Sequence, residues 1–140
     1  MTAIATTTSR SRVLLIDDDE LIAGSLRQYL AQQGCEVDVA VEHSAATSLM
    51  NAQRYEVVVV DPYLTGGIHM RNREMLSAIT QLQPRASVIV VTGYGSPELA
   101  RMAADARLAL LAKPQSVVAL SELIFRALRG VPSSIQGMDA

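Results

Sequence analysis

Four short apolar blocks recur along the chain, and each stops on a polar residue. Residues 13–16 (Val-Leu-Leu-Ile) run into Asp17-Asp18-Asp19-Glu20, residues 57–60 (four valines) into Asp61, residues 87–91 (Ser-Val-Ile-Val-Val) into Thr92, and residues 108–112 into Lys113-Pro114. Blocks that are apolar on both faces suit strands buried in a parallel sheet. A fifth segment, 35–41, alternates instead: Cys35, Val37, Val39 and Val41 share one face, while Glu36, Asp38 and Ala40 share a more solvated one. Between these segments the apolar spacing turns helical. Leu21, Ile22, Leu26, Tyr29 and Leu30 form one stripe, with Asp19 as N-cap and Gly34 as the C-terminal stop. Further helices are predicted over 44–53, from about 72 to 83 ahead of Pro84, from Ser96-Pro97-Glu98 onward, and over 116–129. Residues 62–70, with Pro62, Gly66 and Gly67, read as loop. Strand and helix alternate about five times, which predicts an α/β sheet with helices on both faces.

The length, 140 residues, fits one domain spanning 12–129, flanked by a disordered arm at 1–11 and a flexible tail at 130–140. The reading is of a stand-alone unit that signals through its own surface. An apolar fraction of 49% supports a packed core. No apolar stretch is long enough for a membrane span, and the N-terminus lacks the apolar block of a secretory signal. A soluble, cytoplasmic protein is therefore expected. Twelve basic against 14 acidic side chains, with no basic cluster and 4% aromatic residues, speak against nucleic acid as a direct partner. The single cysteine, Cys35, excludes an internal disulfide and offers no metal-ligand spacing.

Polar residues stand at the C-terminal ends of four predicted strands: Asp17 and Asp18, Asp61, Thr92 and Lys113. Open α/β sheets place their sites there. If the alternating strand lies at the edge, in the order 2-1-3-4-5, the other four ends become neighbours. Two like charges ~4 Å apart repel by about 4 kcal/mol at an effective dielectric of ~20, and a divalent cation relieves that repulsion. Carboxylates with water and a phosphate oxygen suit Mg²⁺. Lys113 and the Thr92 hydroxyl would meet a tetrahedral anion, and one carboxylate is placed to attack phosphorus.

In these motifs and their order the chain resembles the receiver domain of two-component response regulators, over roughly residues 12–129. The resemblance implies a flavodoxin-like doubly wound (βα)5 fold and makes Asp61 the phospho-acceptor, served by a phosphohistidine on a sensor histidine kinase or a histidine phosphotransfer protein. It assigns Mg²⁺ to Asp18 directly, Asp17 through water, Asp61, and the backbone carbonyl of Tyr63. Thr92 becomes the switch hydroxyl and Lys113 the phosphate contact, with a bond to Pro114 that is often cis. It further implies that the protein catalyses its own phosphorylation and slow hydrolysis without being an enzyme of the ordinary kind, and that it acts on a downstream protein target in a phosphorelay.

Three positions depart from the family pattern. Leu110 stands where an aromatic usually swings with the switch hydroxyl, the loop after Asp61 is longer, and Tyr63 and Tyr94 occupy positions that govern access of hydrolytic water. An alternative is a pseudo-receiver that binds proteins without phosphorylation. A phosphatase with an aspartyl-phosphate intermediate would carry a second Asp where Tyr63 stands, and a Rossmann domain would need a G-x-G-x-x-G. Asp19 and Glu20 read as turn and cap, Gly66-Gly67 as plain loop, His43 and His69 as surface residues. In the last helix Val117, Leu120, Ile124 and Leu128 form a core stripe, while Val118 and Phe125 fall on another side and suggest a docking or homodimer face.

Overall fold

The computed structural model describes residues 11–17, 19–61, 69–92, 101, 109–112 and 116–130, with 69–73, 92 and 112 described as backbone alone. The described elements are β1 (Arg12–Ile16), α1 (Glu20–Gln32), β2 (Glu36–Ala40), α2 (His43–Ala52), β3 (Val57–Val60), α3 (His69–Leu82), β4 (Ser87–Thr92), β5 (Ala109–Ala112) and α4 (Val117–Leu128). All five strands pair in parallel, in the order β2-β1-β3-β4-β5. The alternating segment is therefore the edge strand, which meets the condition for the other four strand ends to be neighbours. The terminal segments 1–10 and 131–140 and most of the helix expected from Ser96 lie outside the described residues.

Period-2 alternation sorts the sheet residues between two cores. Leu14, Ile16, Val58, Val60, Val88 and Val90 pack with α2 and α3 residues such as Met50, Met75 and Ile79. Their neighbours Val13, Leu15, Val57, Val59, Ile89 and Val91 face Leu26, Leu30, Leu120 and Ile124 of α1 and α4. Each strand is thus covered on both faces, which is why the blocks contain no polar interruption.

Helix ends follow local chemistry. The Asp19 side chain accepts from Ile22 N–H at 3.2 Å, and Ser116 Oγ accepts from Ala119 N–H at 3.0 Å, each satisfying a donor that the first turn leaves open. Past α1 and α4 the chain turns through Gly34 (φ 94°) and Gly130 (φ 78°), a region that glycine enters without steric cost.

Three expectations need correction. α3 begins at His69, not near 72, so positions 69 and 70 are helix rather than loop; the breakers Pro62, Gly66 and Gly67 all precede it, and nothing after them opposes a helix. The second face of β2 is not a solvated one. Ala40 is 1% exposed, Asp38 is half-buried and hydrogen-bonded, and Val41, assigned to the apolar face, is exposed. His43 is half-buried at the start of α2.

In α4, Leu120 and Ile124 are buried as expected, with Val117 and Leu128 half-buried against the same core. Phe125 also packs there, so of the expected docking pair only Val118 stands out, 55% exposed. Ser121, a polar residue in the stripe, is buried and satisfied by donating to the Val117 carbonyl at 2.7 Å.

Among the described residues no helix is long and apolar enough to cross a membrane.

Candidate phosphoryl-acceptor site

Register builds the site. β1 lies between β2 and β3, with Ile16 opposite both Ala40 and Val60. The ladder then runs one step further: Asp17 N–H donates to the Ala40 carbonyl at 3.0 Å, and Asp61 N–H to the Ile16 carbonyl at 2.9 Å. Asp17 and Asp61 are thus fixed by backbone bonds at adjacent strand ends. Asp61 is 7% exposed and Asp17 half-buried. The Asp17 carboxylate is oriented in turn, since Oδ1 accepts from Asp19 N–H at 3.0 Å. Asp19 therefore serves twice, capping α1 with its side chain and fixing Asp17 with its backbone. The cap was readable from sequence; the second bond is a local Asp turn that spacing alone does not announce.

β4 continues the row. It pairs with β3 through Val60 and Val90, and Thr92 reaches the strand's end, opposite Ala112 of β5. The structure thus brings together Asp17, Asp61 and the backbone of Thr92 at one edge of the sheet, and β5 ends at the residue preceding Lys113. Asp18, Tyr63 and Lys113 lie outside the described residues, as do Tyr94, Gly66-Gly67 and the Lys113-Pro114 bond. Leu110, paired with Val90, is half-buried against the α2/α3 core, so an aliphatic side chain fills the place expected for an aromatic.

Behind the carboxylates the surroundings are apolar. A cavity of about 90 Å³ lies between the sheet and α1/α4, walled by Leu15, Val59, Val91, Leu26 and Leu120, with Asp17 and Asp61 at its polar end. Such backing lowers the local dielectric and strengthens the pull of the two carboxylates on a cation. Their donor set is hard oxygen, the kind Mg²⁺ and Ca²⁺ take, and a buried carboxylate is itself stabilised by a counter-charge. The residues present therefore fit a divalent metal. Among the described residues no group of three His, Cys, Asp or Glu side chains forms a complete ligand set.

Residues 13–125 match the response regulator receiver domain family, which covers both sheet faces and every strand end described above. The chain belongs to that family. It is a receiver domain of two-component response regulators, and solved response regulators share its fold. A response regulator protein from Burkholderia pseudomallei, solved with a phosphorylated aspartic acid, a calcium ion and citrate, is 32% identical, with a TM-score of 0.76 over 93% of this chain and 73% of that one. A CheY-like receiver domain protein from Methanospirillum hungatei is 29% identical, with a TM-score of 0.79 over 88% of this chain and 97% of that one. Among curated proteins, the photosynthetic apparatus regulatory protein RegA of Rhodobacter capsulatus is 27% identical over 84 residues, 60% of this receiver and 44% of RegA. The receiver spans between 18% and 44% of the length of the curated relatives it matches.

Proposed function

We propose that this receiver accepts a phosphoryl group on Asp61 from a phosphohistidine donor, with Mg²⁺ as the metal, and passes the signal on through phosphorylation-dependent protein contacts in the cytoplasm. The observation that carries the reading is the placement of Asp61: a nearly buried carboxylate pinned by its own N–H to β1, directly beside Asp17. In the transfer an Asp61 oxygen attacks phosphorus in line as the phosphorus–nitrogen bond to the donor imidazole breaks, and the nitrogen keeps the bonding pair. Asp17 and Asp61, with Asp18 and the Tyr63 carbonyl, would hold the metal. When bound, it neutralises charge on the transferring oxygens. Lys113 and the Thr92 hydroxyl are proposed as the remaining phosphate contacts. With Leu110 in the aromatic's place, readout of the phosphorylated state is proposed to involve movement at Thr92 without an aromatic partner. Val118 on α4 is the exposed apolar position proposed for contact with a downstream protein or a second copy of the chain.

Intact-mass spectrometry after incubation with acetyl phosphate and Mg²⁺ tests this. Wild type should gain one phosphoryl group, and Asp61→Asn or chelation with EDTA should abolish the gain; an unmodified wild type would overturn the proposal.

A further inference from the structure

At the opposite end of the sheet, where the strands begin, charge of the other sign collects. Arg12 opens β1, Arg54 stands three residues before β3, and Arg85 two before β4. All three line a groove of about 840 Å³, together with Glu56 and an apolar wall that includes Leu82 and Leu128. Arg12 is engaged, bridging to Glu36 Oε1 at 3.0 Å and donating to Gln53 Oε1. Arg54 and Arg85 are exposed and make no ion pair among the described residues. Cations just past helix C-termini favour the helix dipoles, which accounts for a positive charge after α2 and another after α3. It does not account for both facing one groove.

The two guanidinium groups also spring from backbone segments tied to each other. The buried Gln83 amide donates to the Gln53 carbonyl at 2.7 Å and accepts from Tyr55 N–H at 2.9 Å, so the residues on either side of Arg54 are fastened to the side chain two positions before Arg85. Ser87 N–H donates to the Glu56 carbonyl and Glu56 N–H to the Arg12 carbonyl, both at 2.9 Å, which closes the row. The backbone that carries the two guanidinium forks is thus fixed, and each planar fork matches a carboxylate in shape.

We infer that this groove binds an extended acidic peptide segment of a partner protein, its carboxylates on Arg54 and Arg85 and its apolar side chains against Leu82 and Leu128. Charge complementarity with Arg54 and Arg85 favours such a segment. Glu56 repels any anion that lies over it, so a peptide, whose carboxylates can be spaced past Glu56, suits the groove better than a continuous phosphate backbone, and its apolar side chains meet the wall at Leu82 and Leu128. Strands of four to six residues place the groove roughly 15 Å from the aspartates, so it is a site apart from theirs.

The test is fluorescence anisotropy on the full chain with a labelled peptide of alternating glutamate and leucine, its glutamine–leucine analogue, and a single-stranded DNA oligonucleotide. The acidic peptide should bind with an affinity that falls as salt rises, and the glutamine analogue should not bind. The doubly reversed variant R54E/R85E should weaken binding by about tenfold or more, while R126E, on α4 outside the groove, should change it little. Should R54E/R85E lose its circular dichroism spectrum, R54Q/R85Q replaces it with the same expectation. No binding of the acidic peptide, equal binding by the folded variant, or tighter binding of DNA than of peptide would overturn the inference.

Discussion

Gln83 carries a neutral amide into the interior, 4% exposed, and uses both ends of it: Nε2 donates to the Met50 and Gln53 carbonyls at 2.9 and 2.7 Å, and Oε1 accepts from Tyr55 N–H at 2.9 Å. Gln83→Ala strands two buried backbone groups and a half-buried one, and we expect a loss of about 3 kcal/mol, seen as a lower urea midpoint with an unchanged slope. Next to it, Tyr55 Oη donates to Asp38 Oδ2 at 2.6 Å. Burial first, and that bond second, hold the phenol's pKa above its ordinary 10.0. The neutral phenol thus contributes stability that is complete below pH 10.0 and is lost as pH rises beyond it, because the unfolded chain ionises first. Tyr55→Phe should flatten the alkaline limb of a stability-against-pH curve. The Cys35 thiol is likewise raised, by burial and then by the charge of Glu56; at pH 8 it should react with a thiol reagent only when the chain is unfolded. None of this network is visible in the sequence, where a glutamine closing a helix and a tyrosine between helix and strand are ordinary residues until tertiary pairing gives them partners.

Helix caps are the best-read local signals. Asp19 stands where the sequence predicts a cap, its side-chain oxygen meeting an open N–H group, while Ser116, expected as the first residue of the last helix, is instead its cap. Asp19→Ala should cost about 1 kcal/mol in thermal or urea unfolding, and it spares the backbone bond that orients Asp17. The buried strands were equally legible, since runs such as Val57–Val60 tolerate no polar residue between two helix layers. Two elements are less legible. The start of α3 at His69 is hidden in the sequence because a loop's breakers mark where a helix cannot be, not where it begins. The outer face of β2 looks wet in the sequence because Glu36 and Asp38 are charged, yet Asp38 is matched by Gln53 and Tyr55 just past the end of α2. Phe125 shows the same limit, for spacing put it off the core stripe while the turn of α4 lets it lean on the second core.

For the whole molecule, parallel pairing separates two chemistries. Every strand starts at the arginine end and finishes at the aspartate end, so Asp17 and Asp61 become neighbours through register, although 44 positions separate them in the chain. That convergence could be anticipated from the row of polar residues after apolar blocks, given the strand order; the arginine groove could not, since its members precede the strands at irregular spacing. A metal held by the aspartates should stabilise the fold: Mg²⁺ at about ten times its Kd should add about 1.4 kcal/mol, and Asp17→Asn should remove the gain. The most direct measurement is to phosphorylate the chain with acetyl phosphate and Mg²⁺, reduce it with borohydride, and locate the resulting homoserine by tandem mass spectrometry. The account predicts homoserine at position 61 alone; its appearance at any other aspartate, or its absence from position 61, would contradict it.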